Sequence, residues 1–139
     1  MLSAIDISTS ALVAQRVRMT AISSNLANMS TTHNEAGEPV PYQPRFVVFQ
    51  SDERVGGHGA AGVRVSSVQV DPRPPRLRYQ PGHPDAIRDG PNKGYVAYPD
   101  IDMITEFTDA LEAARAYEAN LGAIEIAKDL AQQSLRILA

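Results

Sequence analysis

From Asp100 to Ala139 the chain has no proline and one glycine, Gly122. Its apolar residues return there at steps of three and four: Ile104, Phe107, Leu111, Ala114, Tyr117, Leu121, Ile124, Ala127, Ala131, Leu135 and Leu138. That spacing marks one face of an α-helix and comes close to a heptad seam. Asp100 and Asp102 stand just past Pro99, where a helix N-cap belongs. Glu106, Asp109, Glu112, Arg115, Glu118, Glu125, Lys128 and Asp129 fall on the opposite face. A continuous helix over this stretch would run roughly 55 Å at ~1.5 Å per residue. One apolar stripe of that length needs a partner along its whole extent.

The other end of the chain offers that partner. Residues 4–28 again read as helix, with Ile5, Leu12, Met19 and Leu26 seven apart and Ile22 and Met29 at alternate positions in the second half. In the first half the alternate positions hold Ser8 and Gln15, which is weak for a self-sufficient coil. Alanines at 4, 11, 14, 21 and 27 would let another helix come close, and Ser3 with Asp6 resembles a capping box. Residues 100–139 hold eight acids against three bases, whereas residues 1–33 hold Asp6 against Arg16 and Arg18. An acidic long helix thus faces a slightly basic short one. Two architectures satisfy these patterns: both ends close into one helical unit with the centre looped out, or both pack on a central core as an ordinary bundle.

All ten prolines lie between Pro39 and Pro99, and eight of the nine glycines between Gly37 and Gly94. Four strands are expected in this turn-rich centre: Gln43–Gln50, Gly62–Val70, Arg76–Gln80 and Gly94–Tyr98. In the second, the three-residue step between Val65 and Val68 calls for a bulge or register change. Together they predict a small, mostly antiparallel β unit with a modest core of Phe46, Phe49 or their neighbours, four valines, Leu77, Tyr79 and Val96. The domain reading is a discontinuous helical domain, 1–33 plus 100–139, with a β-rich domain inserted at 34–99.

Several apparent chemical motifs fail on context. Gly57-His-Gly-Ala-Ala-Gly62 matches GxGxxG, but a strand pattern follows it where a dinucleotide site needs a helix N-terminus. His33, His58 and His83 lie in predicted loops, far apart in sequence and without metal-ligand spacing. The run Asp71–Tyr79 is locally basic, but alternate arginines on a strand mark a solvent face, and the net charge of −3 gives nucleic-acid binding no support. Asn28-Met-Ser30 is a formal glycosylation sequon without a secretory signal pattern beside it. No residue is assigned to catalysis, a cofactor or a metal. The absence of cysteine excludes a disulfide framework. No run approaches a membrane helix and no signal-peptide pattern opens the chain, so the expectation is a cytoplasmic protein or export without a cleaved signal.

Specific residues then go beyond pattern. Ser24-Asn-Leu-Ala-Asn28, followed by Thr31 or Thr32, resembles the N-terminal signature shared by flagellar rod, hook and hook-associated proteins. Arg115-Ala-Tyr-Glu-Ala-Asn120 is similar to the R-x-Y-x-A-N segment of the same axial family. Tyr42–Gln50, Leu77–Pro84 and Lys93–Asp102 resemble its proximal rod members. The Met29–Pro41 turn and the 54–62 loop depart from that pattern.

The resemblance implies an α+β protein. Its long terminal helices would pair as an antiparallel coiled coil around an inserted β-rich domain. It implies a non-enzymatic structural subunit of the flagellar basal-body rod, the drive shaft that passes motor torque to hook and filament. Such a subunit is made in the cytoplasm, exported by the flagellar type III apparatus without a cleaved signal, and assembled across the periplasm. The partners implied are copies of itself, other rod proteins, the export apparatus and basal-body ring components, with no nucleic acid, cofactor or membrane insertion. Ile5, Leu12, Met19, Ile22 and Leu26 are expected to pack against Phe107, Leu111, Ala114, Leu121 and Ile124. Asn25, Asn28, Tyr117 and Asn120 are the candidates for polar contacts between subunits, with simple core packing the equal alternative for Tyr117. The alternatives are a sister axial protein or a generic coiled-coil adaptor.

Overall fold

The computed structural model describes residues 2–57 and 59–138. Two helices frame four short strands, in the order α1 (Leu2–Ala27), β1 (Arg45–Asp52), β2 (Gly62–Val70), β3 (Arg76–Tyr79), β4 (Tyr95–Tyr98) and α2 (Met103–Leu138). Asp102 caps α2: its carboxylate accepts from the Ile104 N–H and the Thr105 hydroxyl. Ser3 lies inside α1 rather than at its start, so the capping box read from the sequence does not form. Helix α1 ends where polar side chains compete for the backbone: Asn28 Nδ2 donates to the Ser24 carbonyl, and the Thr31 hydroxyl bonds Asn28 Oδ1.

The strands make two separate two-stranded antiparallel sheets, β1–β2 and β3–β4, rather than the single β unit expected. In the first, Val48 faces Ser67 and Phe49 faces Val65, so Ser66 is the extra residue of a bulge. Glycines 57, 59 and 62 belong to the loop joining β1 and β2 and to the first residue of β2; His58 lies outside the described residues. Two-stranded ribbons have no second layer to cover both faces. Phe46, Val68, Val70, Leu77 and Tyr79 accordingly stay exposed, and of the predicted β core only Val96 is fully enclosed. In the second ribbon the Tyr79 and Tyr95 rings meet edge to face at 5.3 Å.

The core runs along α1, which packs against α2 and against both strands of the first hairpin. Ser10 Oγ accepts from the Val63 N–H at 3.0 Å, and Asn25 Oδ1 accepts from the Arg45 N–H at 2.9 Å. Fifteen residues separate these two pins on α1, about 22 Å of helix. Arg45 to Ser51, the partner of Val63, covers about 20 Å of strand. The hairpin therefore lies lengthwise on α1, with β1 antiparallel to the helix and β2 parallel to it. A helix held from two directions needs a broad buried face, which is why Ser8 and Asn25 are buried alongside Ala14 and Ile22. The second hairpin touches neither helix through its strands. It is tied on by the Thr32 hydroxyl bonding Asp85, and by Arg73 and Arg76 pairing with Asp100 ahead of α2.

Candidate assembly surface

Polar pairs set the register of the helices. Arg18 on α1 reaches Asp109 at 3.6 Å and Glu112 at 3.3 Å, while Asn25 reaches Glu106. Residue numbers fall on α1 as they rise on α2, so the helices are antiparallel. The positions of α2 turned inward include Glu106, Ala110, Ala113, Tyr117, Asn120, Ile124, Ala127 and Ala131, at alternating steps of four and three, with Asp109 and Ala114 half-buried beside them. Ala113 and Ala14 are both fully enclosed. Small side chains there let the backbones approach closely.

The buried seam coincides with the stripe read from the sequence at Ala114, Tyr117, Ile124, Ala127 and Ala131. Toward the start of α2 it is displaced by about one position, onto alanines. Phe107, Leu111 and Leu121 are consequently 53 %, 61 % and 44 % exposed, so within one chain they do not fill the contact with α1 expected for them. Ala114 and Ile124 are half-buried, as are Ile5, Leu12, Met19 and Leu26, with Ile22 buried. Along its outer side α2 therefore carries a row of Ile104, Phe107, Leu111 and Leu121 open to solvent. Carrying the register on from Asn25 and Glu106 puts Leu2 level with about residue 129. The end of α2, with exposed Leu130, Leu135 and Ile137, projects past the described part of α1. Large apolar area of this kind marks an interaction surface.

The four polar residues singled out in sequence differ in what they have left to offer. Asn25 is buried and bonded entirely within the chain, to Arg45, Tyr42 and Glu106. Asn28 serves the end of α1. Asn120 Nδ2 donates back to the Ala116 carbonyl, and Tyr117 is half-buried in the seam. Glu106, read from the sequence as lying on the face opposite the stripe, instead turns toward α1, while Arg18, Tyr42 and Arg45 carried no site reading. The only signal for Glu106 and Arg18 was the opposed charge of the two ends; Arg45 takes part through its backbone, which no side-chain pattern reveals.

Burial raises the Glu106 carboxyl above the usual glutamate range, against the smaller lowering effect of its bond from Asn25. Asp102 is lowered, chiefly by the Thr105 hydroxyl, and Asp85 chiefly by the Thr32 hydroxyl. His33 and His83, distant in sequence, come within 3.5 and 3.9 Å of Asp85. Among the described residues no group of three or more His, Cys, Asp or Glu side chains is arranged to hold a metal ion, and no helix is long and apolar enough to cross a membrane.

Comparison with known proteins joins these two ends. Residues 5–33 match the family described as flagella basal body rod protein, and residues 92–137 match the flagellar basal body rod FlgEFG protein C-terminal family. The matches fall on α1 with its following turn, and on β4 with α2, which defines the class as flagellar basal-body rod proteins. Over 98 % of its length the chain is 37 % identical to the flagellar basal-body rod protein FlgC of Borreliella burgdorferi, covering 96 % of that protein. It is 39 % identical to the FlgC of Bacillus subtilis over 96 % of this chain and 95 % of that one. With the FlgC of Salmonella typhimurium the figures are 35 % identity, 99 % and 97 %. The chain belongs to the FlgC family.

Proposed function

We propose that the chain works as a structural subunit of the flagellar basal-body rod through the outer side of α2. The observation that carries this is the row Ile104, Phe107, Leu111 and Leu121, left in solvent on a chain that aligns end to end with rod proteins. Water is a poor environment for that row, and neighbouring subunits of the rod are the surfaces available to cover it. In this reading residues 1–33 plus 100–139 act as one helical domain whose helices pair as an antiparallel coiled coil, and residues 34–99 act as an inserted β-rich domain facing outward. The chain is not an enzyme and needs no cofactor, nucleic acid or membrane insertion. It leaves the cytoplasm through the flagellar type III apparatus without a cleaved signal, then meets copies of itself, other rod proteins and ring components in the periplasm. There it forms part of the shaft that passes torque to the hook and filament.

The chain has no cysteine, which makes the test direct. A Leu111→Cys variant should react readily with a maleimide as the purified monomer and be shielded in isolated basal bodies. Equal labelling in both states would show that the outer side of α2 stays uncovered in the rod and would remove the proposal.

A further inference from the structure

One buried side chain joins three segments that are remote in sequence. Asn25 is 3 % exposed. Its Nδ2 donates to the Arg45 carbonyl at 2.8 Å, and its Oδ1 accepts from the Arg45 N–H at 2.9 Å. These are the two bonds that a residue on a neighbouring antiparallel strand would exchange with Arg45. The same Oδ1 accepts from the Tyr42 hydroxyl at 3.2 Å, and Nδ2 donates to both Glu106 carboxylate oxygens at 3.3 Å. An asparagine amide has two N–H donors and two acceptor lone pairs, and all four are engaged here. The orientation of the amide is fixed, because the Arg45 N–H can only donate and its carbonyl can only accept.

Glu106 depends on this arrangement in turn. No ion pair to it forms among the described residues; Arg18 of α1 pairs with Asp109 and Glu112 instead. Asp109 opposes its charge and Arg73 favours it from a distance. The half-buried carboxylate is therefore held by the Asn25 N–H. A carboxylate there costs stability that an apolar residue would not.

We infer that Asn25 is a positioning residue acting as a latch: it stands in for a missing strand at the base of β1 and answers to α2 through Glu106, so that seating the C-terminal helix tightens the hold of α1 on the base of the first hairpin. Nothing in this depends on rod assembly; it is a property of the single chain. No shorter or longer side chain closes the same set of bonds. Aspartate would turn a carboxylate toward the Arg45 carbonyl and Glu106, and alanine would leave both Arg45 backbone groups unpaired.

The test is amide hydrogen exchange on the full-length monomer, read at Arg45. Loss of the latch should speed Arg45 exchange in Asn25→Ala by about 10-fold or more over any general rise. The remote substitution Glu106→Ala, on α2, should speed the same amide by about 3-fold or more. Glu106→Gln, which keeps an acceptor, should restore protection to at least the wild-type level, and Asp109→Ala, one turn away, should change it by less than about 2-fold. If Asn25→Ala is too unstable to measure, the Glu106 pair decides alone. Arg45 exchange that ignores Glu106→Ala, or that rises equally with Asp109→Ala or Glu106→Gln, overturns the latch and leaves Asn25 as a local cap.

Discussion

Replacing Leu111 by aspartate separates the fold of the single chain from the surface that joins it to others. Leu111 is 61 % exposed, so the monomer has gained only about two-fifths of the ~1.5–3 kcal/mol that full burial of a leucine contributes. Losing that share is about 1 kcal/mol, and the poorer helix propensity of aspartate adds about 0.5 kcal/mol. The monomer should therefore stay folded, with a urea midpoint only modestly lowered. In the assembled rod the same side chain would be enclosed. There the variant forfeits the remaining ~1–2 kcal/mol and carries an unpaired carboxylate into a dry contact, a further cost of several kcal/mol. A penalty of at least about 4 kcal/mol is roughly a thousandfold in each association constant. Urea denaturation of the purified monomer, with recovery of the variant in basal bodies and swimming in soft agar, measures both arms. Normal swimming with full incorporation would refute the assembly reasoning. Loss of the monomer's fold would refute the placement of Leu111 outside the core.

Other perturbations probe the interior. A Cβ on Gly62 would sit 2.7 Å from Ser10 Oγ and 2.8 Å from Val55, so Gly62→Ala should cost ~1–3 kcal/mol and unprotect the Val63 amide, whereas Gly82→Ala, with open space around it, should be nearly silent in the same denaturation assay. Gln15 Oε1 is buried and has no hydrogen-bond partner among the described residues. Gln15→Met should therefore gain about 1 kcal/mol, read as a rise of about 3–5 °C in Tm; a fall would mean the oxygen is satisfied after all. The raised carboxyl of Glu106 contributes most below the ordinary glutamate range, and that contribution is lost as pH rises through its folded value. Glu106→Gln should accordingly be more stable than the parent at neutral pH, with the gap closing as the pH falls below that range. Asp52, Asp71, Asp85 and Asp102 have the opposite sign: lowered in the fold, they contribute above the ordinary carboxylate range, and that support is lost as pH falls through their folded values.

What could be read beforehand follows from periodicity. Proline and glycine placement put both helices and all four strands close to where they form, and the Val65–Val68 step announced the bulge at Ser66. Periodicity did not reveal which side of α2 turns inward. Ile104, Phe107 and Leu111 outrank Ala110 and Ala113 in hydrophobicity, yet the alanines face α1 because close approach of two backbones favours small side chains. A stripe strong enough to look like a core was in part the outer surface of a subunit. Ser8 and Gln15 seemed to weaken α1 because a single seam was assumed, whereas α1 is covered by α2 and a hairpin together. The pairing of Asn25 with Arg45 was illegible for a different reason. A side chain that substitutes for a strand leaves no periodic trace, and its partner is a peptide group that every sequence position carries alike.

Incorporation of this chain into the rod can be measured by quantitative mass spectrometry of hook–basal bodies purified from the source organism. Its peptides should be present at levels comparable with other rod subunits. Their absence from otherwise intact basal bodies would contradict that incorporation.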